Sequence, residues 1–102
     1  MSERRVAALA GVPADRPVVV EADGEPLVLV RIGEAVYACG TTCAHRGGPL
    51  GEGTLHGARL ACPWHGWIYD VRTGQCVFPR RDARVPTYAV RLDGDDVWVD
   101  VP

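Results

Sequence analysis

Cys43-Ala44-His45-Arg46-Gly47-Gly48-Pro49-Leu50 and, after a gap of sixteen residues from His45, Cys62-Pro63-Trp64-His65-Gly66-Trp67 are the stretches on which the reading of this chain turns. Each offers one thiolate and one imidazole at close spacing, and four such N and S ligands on two loops mean a metal site. By spacing alone two groups fit. A structural zinc ion takes two Cys and two His in a closed tetrahedron, whereas a 2Fe-2S centre of mixed ligation takes two Cys on one iron and two His on the other. The order of the ligands favours the second group, because common Cys2His2 zinc sites put both Cys on one knuckle and both His on another, and here each loop is mixed. Gly47, Gly48, Gly51, Gly53 and Gly66 surround the four residues, as expected where backbone must come close to sulfide and donate N–H groups to it.

Outward from these loops the sequence consists of short apolar runs punctuated by Gly, Pro and Asp, the pattern of an all-β domain. Strands are predicted over residues 17–21, 26–32 and 35–38, with Asp23-Gly24 and Gly33-Glu34 as turns, so that the three form a meander. Residues 87–92 and Asp96–Val101 flank Asp93-Gly94-Asp95 as a hairpin. Residues 40–57 keep no period of 2 or 3.6 and are expected to be an irregular, functional loop. No repeat, heptad or low-complexity tract is present.

A chain of 102 residues has room for one core, so residues 1–102 are expected to form a single domain. The formal net charge is -2, with eleven basic residues scattered among thirteen acidic ones, and no basic patch interleaved with aromatics suggests nucleic acid. The apolar run from Val6 to Ala10 is too short for a secretory signal, and no run approaches a membrane span. The expectation is a cytoplasmic, unanchored protein.

The two quoted stretches closely resemble the signature of the Rieske family, C-x-H, a spacer, then C-x-x-H. The flanking glycines and prolines match as well, and Asp70 and Thr73-Gly74 resemble the family's continuation. This resemblance implies three small antiparallel sheets with one Rieske-type 2Fe-2S cluster held at one tip by two loops, its ligands Cys43, His45, Cys62 and His65. It implies an electron carrier with no substrate of its own, and pH-coupled transfer through the two imidazoles.

Within the family, a cluster domain carrying its own mononuclear iron on a 2-His-1-carboxylate triad does not fit, since two of the three histidines are assigned to the cluster and His56 alone builds no triad. Quinol-oxidising members carry an extra Cys in each loop; here Gly47, Gly48, Pro63 and Trp64 leave no such brace. Trp67 stands where high-potential members have a Ser, while Tyr69 keeps the matching Tyr, which implies a low potential with some upward pull. The resemblance is greatest to a Rieske ferredoxin, a monomer passing electrons from a flavin-dependent NAD(P)H ferredoxin reductase to a terminal Rieske non-haem iron oxygenase. Alternatives are the small subunit of an assimilatory nitrite reductase and, in a different class, a zinc-stabilised β binding module.

Other residues take plainer readings. Cys39, ending a strand, and Cys76 are expected as buried apolar side chains without a disulfide. Trp64 is expected to be partly exposed, forming a docking face with Pro49 and Leu50, and Trp67 to be core. Trp98 is expected to serve packing only. His56 reads as an ordinary loop histidine, and Arg80, Arg81 and Arg84 as a solvated loop. Arg46, next to a ligand, is either a steering charge or a solvated one.

Overall fold

The computed structural model describes residues 2–44, 47–64, 66–79 and 82–101. They form eleven strands in three antiparallel sheets. The first sheet has the order β1-β11-β10, from β1 (Ser2–Ala8), β10 (Val90–Asp93) and β11 (Asp96–Val101). The second, β2-β3-β4-β9, comes from β2 (Val18–Ala22), β3 (Glu25–Ile32), β4 (Ala35–Cys39) and β9 (Thr87–Tyr88). The third, β5-β6-β7-β8, is built from three-residue strands: β5 (Thr54–His56), β6 (Arg59–Ala61), β7 (Ile68–Asp70) and β8 (Cys76–Phe78).

The four-residue apolar run Leu27-Val28-Leu29-Val30 explains how the sheets stack. Successive strand side chains point to opposite faces, and all four residues are fully buried. Leu27 and Leu29 join Val36, Ala38, Val97, Val99 and Val101 in one core. Val28 and Val30 join Cys39, Cys43, Leu50, Leu60, Cys62, Tyr69 and Cys76 in another. The second sheet is therefore a middle layer, with the first sheet packed on one face and the short-stranded third sheet on the other. On β11 the alternation is clean, Val97, Val99 and Val101 turning inward.

Three departures from the predicted elements have physical causes. Residues 87–92 are not one strand: Tyr88 pairs with Ala38 in the second sheet and Val90 with Val99 in the first, so the chain changes sheet at Ala89. β1 was not foreseen because it is an edge strand rich in charge. Its register along β11 runs from Ser2↔Val101 to Ala8↔Asp96, and its charged residues make the exposed ion pairs Arg4–Asp23, Arg5–Asp96 and Glu3–Arg91. The stretch 40–57 is irregular only as far as Gly53; β5 then begins, and His56 ends that strand, exposed, paired with Arg59. The meander β2-β3-β4 is as expected.

Candidate metal centre

Two loops meet beside the third sheet, and they are built alike. In the first, the Cys43 N–H donates to the carbonyl of Gly48 at 2.8 Å. In the second, the Cys62 N–H donates to the carbonyl of Trp67 at 2.7 Å. Each Cys thus opens a six-residue loop closed by a backbone bond to its last residue. In each loop the fifth residue is a glycine in the left-handed region, Gly47 at φ 74° and Gly66 at φ 74°, a conformation that costs a side chain about 1–2 kcal/mol. The first loop is further tied down by the Thr42–Pro49 bridge and by the Leu50 N–H to the Thr41 carbonyl at 2.9 Å.

These closures bring the two thiols together. Cys43 and Cys62 are each 2% exposed, and their side chains lie within hydrogen-bond reach of one another. Gly48 makes the approach possible: a Cβ there would stand 2.6 Å from Cys62 Sγ and 3.2 Å from Trp64 Cβ. Burial pushes the Cys62 thiol above its ordinary range; a backbone hydrogen bond at Trp64 opposes this, and the neighbouring Cys43 adds to it. Two Cys side chains gathered in one buried place are a donor set that a thiophilic metal group can take.

Tyr69, 1% exposed, completes the sulfur environment. Its hydroxyl lies 3.0 Å from Cys43 Sγ and accepts the Ala44 N–H at 3.0 Å. Burial, and then Cys43, hold the phenol well above its usual pKa, so it stays a donor.

The other predicted positions divide. His45 and His65, and with them Arg46, lie outside the described residues, as do Arg80 and Arg81; Arg84 is exposed. Trp64 is 51% exposed, whereas Leu50 is fully buried, so the expected docking face loses Leu50 to the core. Leu50 is apolar on a glycine-rich loop, and the short 3-10 turn Leu50–Glu52 folds it inward. Trp67 is partly buried against the same core. Trp98 has its ring under the Arg91 guanidinium, 5.3 Å from the centroid. Cys39 and Cys76 are buried and form no disulfide. Phe78, 61% exposed on β8, is a surface aromatic that the sequence reading did not single out.

The two loops, each with one Cys and one His in its sequence, bring Cys43 and Cys62 together beside the third sheet, as either metal group would need. The sequence matches the Rieske [2Fe-2S] domain over residues 2–89, and the chain belongs to that family. It is 28% identical to the ferredoxin component of the naphthalene 1,2-dioxygenase system of Pseudomonas aeruginosa, over 99% of both chains. The ferredoxin of carbazole 1,9a-dioxygenase from Nocardioides aromaticivorans IC177 superposes with a TM-score of 0.89 at 32% identity, covering 97% of both chains. A solved complex of reduced oxygenase and oxidised ferredoxin in carbazole 1,9a-dioxygenase matches with a TM-score of 0.86 at 30% identity, over 95% of this chain and 91% of that one. Some relatives are much longer: the matching segment is 17% of the methylxanthine N1-demethylase NdmA of Pseudomonas putida. The family decides between the groups the spacing left open, and the cofactor is one Rieske-type 2Fe-2S cluster, not zinc. The paired thiols, the bare Gly48 and the Tyr69 hydroxyl fit that group. Among the described residues no helix is long and apolar enough to cross a membrane.

Proposed function

We propose that Cys43 and Cys62 hold one iron of the cluster and His45 and His65 the other, and that the chain, folded as one domain, is the ferredoxin of an aromatic-ring oxygenase system. When bound, the cluster supplies one-electron redox chemistry. The protein does the rest. Cys43 and Cys62 fix the buried iron, Gly48 keeps the sulfurs accessible to each other, and Tyr69 donates to Cys43 Sγ. Electrons enter from a flavin-dependent NAD(P)H ferredoxin reductase and leave to a terminal Rieske non-haem iron oxygenase, with the monomeric carrier shuttling in the cytoplasm and turning over no substrate.

The observation that carries this reading is the meeting of the Cys43 and Cys62 thiols at the base of two equivalent loops. End-to-end similarity to ferredoxin components, one of them in complex with its oxygenase, supports the partner assignment. The test is the reduction potential of the purified, iron-loaded protein against pH. Rieske centres span about -150 to +300 mV. Trp67 supplies no hydroxyl, so a value in the lower part of that range, flat through neutral pH and falling in alkali, is expected. A value near the top would overturn the oxygenase-ferredoxin reading. A colourless protein lacking iron and acid-labile sulfide would overturn the ligand assignment.

A further inference from the structure

Cys76 lies outside the two loops, yet the sheet sets it directly behind the residue that touches a ligand. In the third sheet Leu60 pairs with Tyr69, and Tyr69 with Cys76. Residues opposite one another on antiparallel strands share a face, and the three are 0%, 1% and 3% exposed. The Tyr69 ring is therefore clamped between Leu60 and Cys76, with its hydroxyl on Cys43 Sγ at 3.0 Å.

Cys76 does more than fill space. Its S–H donates toward the Pro79 carbonyl at 3.2 Å, with the Phe78 carbonyl at 3.5 Å, and its own N–H donates to the Ala83 carbonyl at 2.9 Å. One residue thus grips the connection after β8 at two points. β8 needs that grip because its register shifts between the pairs Ile68↔Phe78 and Tyr69↔Cys76, which leaves Val77 as the extra residue. An Ala at 76 would leave a sulfur-sized gap against the ring and free the Pro79 carbonyl. In a close-packed interior the neighbours relax only partly into such a gap.

We infer that Cys76 is a positioning residue for the redox centre: by packing on Tyr69 and anchoring Pro79 it holds the Tyr69 hydroxyl on Cys43 Sγ and so helps to set the potential. This rests on the proposal that Cys43 is a cluster ligand.

A double-mutant cycle on the iron-loaded protein, read by voltammetry, tests it. Cys76→Ala is expected to shift the reduction equilibrium about threefold toward the oxidised form, about 28 mV lower at 59 mV per tenfold. In a Tyr69→Phe background the same substitution is expected to do nothing, and Cys76→Ser, which keeps a donor for Pro79, is expected to restore the native value. An unchanged potential in Cys76→Ala, or an equal shift in both backgrounds, overturns the inference. Should Cys76→Ala fail to load, Cys76→Val, which fills the gap without a donor, is read by the same criteria. Native protein without iron and sulfide would sink the ligand assignment instead, so the two failures are distinguishable.

Discussion

The phenolic oxygen of Tyr69 is 3.0 Å from both Cys43 Sγ and the Ala44 nitrogen. A Cys43 that holds iron as a thiolate has no S–H proton to give, so in the loaded protein the Tyr69 O–H is the donor to sulfur. A donor aimed at a ligand sulfur stabilises the more negative, reduced state. Tyr69→Phe is expected to lower the potential by about 40 mV, the equivalent of a hydrogen bond worth about 1 kcal/mol. Voltammetry of the loaded variant checks this; an unchanged potential would place the hydroxyl off the sulfur.

The two loop glycines separate crowding from backbone strain. Gly48→Ala places a Cβ 2.6 Å from Cys62 Sγ, so it should abolish iron binding while circular dichroism still shows the β fold. Gly66→Ala meets nothing within 4 Å but sits at φ 74°. It is expected to keep iron and to lose about 1–2 kcal/mol of stability, read by denaturant melts with iron content measured on the same samples.

Cys39, 1% exposed at the end of β4, has its thiol pushed up to about 12 by burial. A neutral thiol at pH 8 is unreactive, so iodoacetamide should label Cys39 only after unfolding, as peptide mass spectrometry will show. The unfolded thiol ionises from about pH 8.5 and the folded one does not. Its contribution is whole below that pH and is lost as pH rises toward 12. Cys39→Ala should flatten the alkaline limb of a stability–pH curve.

Asp70 accepts hydrogen bonds from the Arg72 guanidinium at 2.8 and 3.0 Å and from the Arg72 backbone N–H at 3.0 Å. The guanidinium bonds chiefly hold its carboxyl below the usual carboxylate range, against the effect of burial. A depressed folded pKa stabilises above the unfolded value and is lost as pH falls through the folded one. Asp70→Asn should therefore lower stability at neutral pH and flatten its decline below about pH 4, measured by thermal melts across that range.

The parts of the fold legible in the sequence are those with enough residues to show a period. β3 and β11 carry uninterrupted or alternating apolar patterns and were placed nearly to the residue. The third sheet was not legible, because strands of three residues, such as Arg59–Ala61, give a period-2 pattern no room to repeat. The two Cys/His loops were legible through residue identity and spacing, and the structure buries Cys43 and Cys62 in one core. Leu50 and Cys76 were not. Whether an apolar residue on a loop turns inward, or a buried Cys backs a ligand's partner, is decided by register between strands that the sequence does not display.

β1 and β11 lie side by side, Ser2 opposite Val101, in the sheet that packs on the face of the middle layer away from the loops. Entry and exit thus share one doorway at the back of the molecule. A longer polypeptide can thread in and out there as through a cartridge socket, leaving the front untouched.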